Sequence, residues 1–291
     1  MTMTVLHELN TYAPWFIFTA VAVVAVLYGF HVLRVGRPHF QRVEKQGGSP
    51  LLGKPMMEFG YWLMQPIAKG LLACGATPDS VSWASLVFGL LAAACVLAGH
   101  FGSAGFFLAF SGYLDAIDGY MARASGTASR SGEVLDASID RYNEAFFCVA
   151  LVVYYQAIPG LALAALLALV GSFMVSYSSA RAELFQIKLP SSMMRRPERA
   201  FYLTLGCLLT PVSVTYFEQI RTTPIKVGYP IALAVVLVAV ISNLVALERL
   251  RLLRKLLKVK DQTEGLPEAG LGRGYAGFKQ EGDQKPVSVK R

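Results

Sequence analysis

Residues 104–121 have the sequence AGFFLAFSGYLDAIDGYM, and residues 134–157 have the sequence VLDASIDRYNEAFFCVALVVYYQA. Each segment is long enough to cross a bilayer as a helix, which takes about 20 residues, and a short polar turn joins them. Five acids nevertheless lie within them: Asp115, Asp118, Asp136, Asp140 and Glu144. Since a carboxylate at the bilayer centre costs about 2.5 to 3.5 kcal/mol, these acids indicate a functional site.

The composition of the whole chain agrees with a membrane protein. Of its 291 residues, 54% are hydrophobic and 16% are charged, whereas soluble domains carry about 25% charged residues. The four cysteines are scattered without a CxxC pair, which argues against a disulfide framework or a zinc site. The net charge of +8 favours loops that face anionic lipid over nucleic-acid binding. We therefore expect an all-α polytopic membrane bundle.

Seven segments are apolar enough to be candidate spans. They are Pro14–Leu33, Ser80–Gly99, Ala104–Met121, Val134–Ala157, Leu161–Ala180, Ala200–Phe217 and Tyr229–Leu247. The segment Leu51–Leu72 mixes apolar and charged residues and holds two prolines. It is either an amphipathic helix at the membrane interface or a loop packed on the bundle.

These patterns divide the chain into four regions. Residues 1–50 form an extra N-terminal transmembrane helix with a basic linker, and residues 51–73 form the interfacial segment. Residues 74–258 form a six-helix catalytic membrane domain. Residues 259–291 are rich in Gly, Pro, Gln and charges, which predicts a disordered cytoplasmic tail.

The basic residues predict the orientation. Of the 27 Lys and Arg residues, all except Arg141, Arg221 and Lys226 fall on one side of the predicted spans. Because basic loops stay in the cytoplasm, we expect the N-terminus outside and the C-terminus inside a multi-pass protein of the cell (inner) membrane.

The spacing of the aspartates predicts a metal site. Asp115 and Asp118 are three residues apart, and Asp136 and Asp140 are four apart, so each pair shares a helix face. Antiparallel neighbouring helices would bring the pairs together, and divalent cations would relieve their repulsion. Oxygen ligands suit Mg²⁺ or Mn²⁺, and paired metals promote phosphate displacement. A structural polar network or a cation-conducting path is the alternative.

The full pattern is Asp115-x2-Asp118-Gly119-x2-Ala122-Arg123-x8-Gly132-x3-Asp136-x3-Asp140. It resembles the signature of the CDP-alcohol phosphatidyltransferase family at every position, and the resemblance extends from Gly75 to Leu250. Members of the family displace CMP from a CDP-linked lipid or alcohol with a hydroxyl acceptor. Their fold is six helices around a polar cavity that opens to the cytoplasm, usually in a homodimer.

The resemblance implies a role for each motif residue. Asp115, Asp118 and Asp136 would bind a two-metal Mg²⁺ or Mn²⁺ site. Asp140 would be the general base and a further metal contact. The residues that would hold the CDP group of CDP-diacylglycerol are Asp118, Gly119, Ala122, Arg123 and Gly132. The family often has Pro-Asn near the nucleotide, whereas this chain has Pro78-Asp79.

A second polar cluster lies at residues 176–183 and 195–199. Its arginines either fix the loops at the cytoplasmic face or grip a phosphorylated acceptor. The cluster resembles the bacterial phosphatidylinositol-phosphate synthase branch, although Ser179 replaces a typical Lys and Arg195 replaces an acid. On this resemblance Arg181, Arg196 and Arg199 would bind the acceptor, which we expect to be inositol phosphate. Glycerol 3-phosphate or another small polyol phosphate is the alternative.

Two other classes of protein use membrane-embedded acids. Intramembrane prenyltransferases have Asp-rich metal motifs, but on widely separated helices. Cation transporters often show inverted repeats or broken helices in both halves, and this sequence shows neither. The sequence therefore favours a phospholipid-synthesising transferase.

Overall fold

The computed structural model describes residues 2–38, 40, 53–190, 192–217 and 227–264. In these ranges every regular element is an α-helix. The helices are α1 (Thr2–Val35), α2 (Lys54–Ala73), α3 (Pro78–Leu97), α4 (Phe101–Ala124), α5 (Arg130–Tyr154), α6 (Pro159–Leu184), α7 (Arg196–Phe217) and α8 (Tyr229–Glu264). The architecture is the expected one: six core helices, α3–α8, preceded by one extra helix and the amphipathic segment.

Five of the seven predicted spans lie wholly within helices, whereas Ser80–Gly99 and Val134–Ala157 run two and three residues past the ends of α3 and α5. Four stretches are long and apolar enough to cross a membrane by length and composition: Glu8–Val35, Pro78–Leu97, Pro159–Leu184 and Tyr229–Gln262. The other three predicted spans fall on α4, α5 and α7, although the last three residues of Val134–Ala157 lie beyond the end of α5. These helices carry the charged residues of the candidate site. With 24 residues, α4 is about 36 Å long, which exceeds the roughly 30 Å of a hydrocarbon core.

Two predicted boundaries differ from the structure by more than four residues. The first helix begins at Thr2 and contains Pro14, where the sequence places the start of the span. The last helix continues to Glu264, so the predicted tail start at residue 259 falls within the helix, because Leu, Lys and Arg are good helix formers. The rest of the predicted tail and residues 41–50 of the basic linker lie outside the described residues.

Small residues let the core helices approach closely. A Cβ at Gly89 of α3 would overlap the side chain of Asn143 on α5. A Cβ at Gly206 of α7 would lie 2.9 Å from the Cβ of Ala234 on α8. Such contacts are the main attraction between helices when the surroundings are as apolar as the side chains.

The extra helix α1 is attached to the core at one end and to α2 at the other. Near its start, the backbone N–H of Gly102 in α4 donates to Asn10 Oδ1 at 2.8 Å. Farther along, Tyr28 contacts the rings of Phe59 and Trp62 in α2 at 5.3 and 5.4 Å between centroids. From Lys54 to Ala73 the predicted interfacial segment is therefore a helix that packs on its neighbours, rather than a loop.

Candidate active site

The aspartates of α4 and α5 converge where these two helices meet their connecting turn. Carboxylate oxygens of Asp115, Asp118 and Asp136 all lie within 4.8 Å of one another. Each pair shares a helix face because its members are about one turn apart. Both α4 and α5 pack on α3 rather than closely on each other, so α3 brings the two faces together, whereas the sequence predicted that α4 and α5 would be direct neighbours.

The three carboxylates fit a divalent cation. Asp118 is only 3% exposed, and Asp136 Oδ1 is buried with no hydrogen-bond partner among the described residues. A buried carboxylate oxygen that lacks a donor is costly, and coordination to a cation would satisfy it. Hard oxygen ligands of this kind suit Mg²⁺ or Mn²⁺.

Asp140 lies beside this group and pairs with an arginine. Arg196, in the first turn of α7, donates from Nη1 to Asp115 Oδ2 at 2.7 Å and from Nη2 to Asp115 Oδ1 at 2.9 Å. The same Nη2 forms an ion pair with Asp140 Oδ1. One guanidinium therefore bridges a carboxylate of α4 and a carboxylate of α5.

A cavity of about 730 Å³ opens next to the aspartates. Its lining includes every residue that the sequence assigns to CDP binding: Asp118, Gly119, Ala122, Arg123 and Gly132. Asp136 also lines it, together with Thr77, Pro78, Asp79 and Ser82 from the start of α3. Six of the eight motif residues thus line the same cavity, and the other two, Asp115 and Asp140, are outside its lining.

The two motif glycines leave room for polar groups. A Cβ at Gly119 would lie 3.1 Å from Arg123 Nη1, so the glycine allows the guanidinium to lie against the helix backbone. A Cβ at Gly132 would lie 3.2 Å from Ser129 Oγ and 3.8 Å from Asp79 Oδ1. Larger residues at either position would crowd the cavity wall.

Two helices begin at this cavity. Thr77 caps α3 by accepting a hydrogen bond from Ser80 N at 3.2 Å, and Ser129 Oγ caps α5 by accepting from Gly132 N at 3.1 Å. Helix N-termini carry partial positive charge and attract anions. The cavity therefore combines two positive helix ends with Arg123 and Arg130, which suits a pyrophosphate.

A chain of hydroxyl groups supports Asp118 from behind. Ser82 Oγ donates to Asp118 Oδ2, and Ser85 Oγ donates to Ser82 O at 2.8 Å. Ser111 Oγ donates to Ser85 O at 2.8 Å, and Asn143 Nδ2 donates to Ser111 Oγ at 3.3 Å. These bonds join α3, α4 and α5 behind the carboxylate, which restricts its position. The sequence alone did not single out these partners, because isolated Ser and Asn residues form no recognisable pattern.

The three arginines assigned to the acceptor have different surroundings. Arg196 reaches the aspartates, whereas Arg181 is exposed and lies 5.7 and 5.5 Å from the ring centroids of Tyr177 and Phe185. Arg199 is 1% exposed and is paired with Glu144 of α5. Each of the three guanidinium groups therefore has partners of its own: carboxylates of the aspartate cluster for Arg196, aromatic rings for Arg181 and Glu144 for Arg199.

A further arginine lies at the predicted acceptor cluster. Arg249 of α8 donates to Ser178 Oγ at 3.0 Å, to Ser192 Oγ at 2.7 Å and to Ser179 Oγ at 2.9 Å. In the sequence, Arg249 is one of many basic residues that follow the last predicted span. Its contact with Ser179, where the related branch has a Lys, is visible only once α6 and α8 are packed.

Comparisons with known proteins place this geometry in a family. A profile of the CDP-alcohol phosphatidyltransferase family matches residues 76–257. The phosphatidylinositol phosphate synthase of Mycobacterium tuberculosis strain H37Rv is 34% identical over 200 residues, covering 64% of this chain and 82% of that protein. The archaetidylinositol phosphate synthase of Pyrococcus horikoshii is 34% identical over 154 residues, covering 52% of this chain and 79% of that protein.

Solved structures show the same architecture. The crystal structure of Mycobacterium tuberculosis phosphatidylinositol phosphate synthase with CDP-DAG bound has a TM-score of 0.56 and 29% identity, covering 65% of this chain and 92% of that chain. The complex of that enzyme with manganese and citrate also has a TM-score of 0.56 and 29% identity, covering 65% of this chain and 88% of that chain. The transferase interpretation is thus confirmed over the prenyltransferase and transporter alternatives. Since the family profile spans most of the chain and six of the eight motif residues line one cavity, the chain belongs to the CDP-alcohol phosphatidyltransferase family.

Proposed function

We propose that this protein transfers the phosphatidyl group of CDP-diacylglycerol to a hydroxyl of a phosphorylated polyol, inositol phosphate being the first choice, and releases CMP. The observation that carries the proposal is the single cavity that joins the five CDP-motif residues to the aspartate cluster. The named activities of the 34% identical relatives support inositol phosphate as the acceptor.

The nucleotide end of the donor would lie along the α4 and α5 wall of the cavity. Gly119 and Gly132 line the cavity without side chains of their own, and Arg123, which lies against Gly119, would supply a positive charge beside the CDP group. The positive ends of α3 and α5 would attract the pyrophosphate. The aspartates then face the phosphorus that carries the lipid.

Asp115, Asp118 and Asp136, with Asp140 beside them, would hold Mg²⁺ or Mn²⁺. Bound divalent cations would neutralise the negative charge that develops on the pyrophosphate as CMP leaves. The protein itself fixes the positions of these carboxylates. Ser82 donates a hydrogen bond to Asp118, and the positions of the other aspartates on their helices direct them to the same site.

Asp140 is the proposed general base. In the transfer, the acceptor hydroxyl oxygen bonds to the lipid-bearing phosphorus and the bond from that phosphorus to the CMP oxygen breaks. The hydroxyl proton passes to an Asp140 carboxylate oxygen. A base held close to the attacking group contributes through both position and proton transfer.

The acceptor's phosphate would be bound on the α6, α7 and α8 side of the site. The sequence assigns Arg181, Arg196 and Arg199 to this role, and the serine-bound Arg249 adds a fourth candidate. Arg181 and Arg249 are the favoured ligands of the acceptor's phosphate. Arg181 is exposed and Arg249 is bound to hydroxyl groups, so either guanidinium can turn to a phosphate without leaving a buried acid unpaired.

The location of the site follows from the charge distribution. We propose that the protein is a multi-pass protein of the cell (inner) membrane with its active site on the cytoplasmic side and its N-terminus outside. The support is the concentration of Lys and Arg at the site end of the predicted spans. The homodimer implied by the family resemblance remains a prediction, which chemical crosslinking in native membranes would test.

The deciding experiment is CMP release from CDP-diacylglycerol by the purified protein in detergent with Mn²⁺ or Mg²⁺. Parallel reactions would contain inositol phosphate, glycerol 3-phosphate or unphosphorylated inositol, with Asp118→Asn as the inactive control. We expect release with inositol phosphate. Faster release with glycerol 3-phosphate would show that this alcohol, and not inositol phosphate, is the acceptor. Equal release with free inositol would show that the site does not bind the acceptor's phosphate. No release with any alcohol would refute the transfer reaction.

A further inference from the structure

Among the described residues, the positively charged group in closest contact with the proposed metal ligands is the guanidinium of Arg196. Both Asp115 oxygens accept hydrogen bonds from it, at 2.7 and 2.9 Å, and Asp140 forms an ion pair with it. Asp115 also belongs to the group whose oxygens converge within 4.8 Å. The same carboxylate thus serves the arginine and the proposed metal.

We propose that Arg196 is an internal counterion that competes with the divalent cations for Asp115 and Asp140. The inference rests on the proposed function, because it assumes that the aspartates bind metal. In the metal-free protein the guanidinium neutralises part of the negative cluster. Metal binding then requires Arg196 to release these carboxylates.

The competition follows from charge and geometry. A guanidinium and a divalent cation repel each other strongly when they share a partly buried carboxylate, because little water screens them. The Arg196 side chain is 31% exposed, so it has room to turn away from the acids. It extends from the first turn of α7, next to the loop that carries Ser192 and Arg195, where the acceptor's phosphate is expected.

The release would also affect the proposed base. While Arg196 holds Asp140, that carboxylate is engaged and cannot receive a proton from the acceptor hydroxyl without breaking the pair. When the guanidinium moves, Asp140 becomes accessible to the hydroxyl. Arg196 therefore couples occupancy of the metal site to the availability of Asp140.

The test is direct measurement of Mn²⁺ binding to the purified protein in detergent, by the electron paramagnetic resonance signal of free Mn²⁺. We expect Arg196→Gln to bind Mn²⁺ at least about tenfold more tightly than the unaltered protein, because one nearby positive charge is removed. Arg196→Lys, which keeps the charge but loses the two-carboxylate bridge, should give an intermediate affinity. The matched control is Arg195→Gln, which removes the charge of the preceding, exposed residue and should leave the affinity unchanged.

A second measurement separates competition from a general structural effect. In EDTA, Arg196→Gln should lower the unfolding temperature, since the aspartates lose their counterion, and saturating Mn²⁺ should restore it by a larger shift than in the unaltered protein. Equal or weaker Mn²⁺ binding by Arg196→Gln would overturn the inference, even with CMP release intact. Tighter binding by Arg196→Gln, together with no CMP release by the unaltered protein at saturating Mn²⁺, would uphold the inference and refute the proposed transfer.

Discussion

Arg199 and Glu144 form a two-pronged ion pair inside the bundle. Arg199 Nε donates to Glu144 Oε1 at 2.7 Å, and Nη2 donates to Oε2 at 3.1 Å. The remaining nitrogen, Nη1, donates to the backbone oxygen of Met194 at 2.7 Å. The pair joins α5 to α7 about one turn beyond the contact between Asp140 and Arg196. It therefore fixes the position of α7 along α5, and with it the position of Arg196 relative to the aspartates.

This pair makes Arg199 a stability residue in addition to any contact with the acceptor. We predict that Arg199→Ala costs about 3 to 5 kcal/mol of stability, because it leaves Glu144 buried without a partner. Thermal unfolding in detergent would measure the loss. The double variant Glu144→Leu with Arg199→Met should recover most of it, since replacing both charges by apolar groups removes the unpaired acid. If Arg199→Ala has a normal unfolding temperature and only a raised acceptor KM, then Arg199 binds the acceptor and does not stabilise the fold.

The convergent aspartates should be needed for turnover but not for folding. We predict that Asp115→Asn, Asp118→Asn and Asp136→Asn each lose most CMP release while the protein still inserts and purifies normally. An amide keeps the shape of the carboxylate but is a poor ligand for a hard divalent cation. The measurement is CMP release at saturating Mn²⁺, and near-normal turnover in one of the three would remove that residue from the metal site.

Arginines that contact the acceptor's phosphate should alter the KM of the acceptor alone. We predict that Arg181→Ala and Arg249→Ala each raise the acceptor KM by roughly 10- to 100-fold, because a charge-assisted hydrogen bond contributes about 1.5 to 3 kcal/mol. The KM of CDP-diacylglycerol should stay nearly constant, since the nucleotide is bound by the α4 and α5 wall. Arg195→Ala is the comparison variant, with both KM values expected to be unchanged. Lower expression with unaltered KM values would instead mean that these arginines only position the loops.

The orientation can be checked in intact cells. We predict that a cysteine-containing tag added at the N-terminus reacts with a membrane-impermeant thiol reagent without lysis, because the Lys and Arg residues concentrate on the opposite side. The same tag at the C-terminus should react only after lysis. A protected N-terminal tag would mean that α1 does not cross the membrane alone.

The docking of α1 depends on a glycine. A Cβ at Gly102 would overlap the backbone oxygen of Asn10 and lie 3.0 Å from Pro211 Cγ. We predict that Gly102→Ala destabilises the protein by about 1 to 3 kcal/mol through overpacking, measured as a lower unfolding temperature. Gly112→Ala is the matched control on the same helix, because nothing lies within 4 Å of its Cβ position, and it should be neutral or slightly stabilising.

The sequence determined the features that depend on local geometry. Apolar segment lengths located the helices, and the i,i+3 and i,i+4 spacing put Asp115 with Asp118 and Asp136 with Asp140, since a helix has a fixed number of residues per turn. The short turn between α4 and α5 predicted that these helices would pack on each other, whereas both pack on α3. The motif glycines and Arg123 were assigned to the nucleotide from the family resemblance, and they line the same cavity.

Only the tertiary structure decided which arginine meets which acid. Arg196 is 81 residues from Asp115, Arg199 is 55 residues from Glu144, and Arg249 is 71 residues from Ser178. At such separations the partner depends on the rotation and relative height of whole helices, which close contacts such as Gly206 with Ala234 determine. Three arginines that look alike in the sequence therefore have different partners: two carboxylates for Arg196, one buried carboxylate for Arg199 and serine hydroxyls for Arg249.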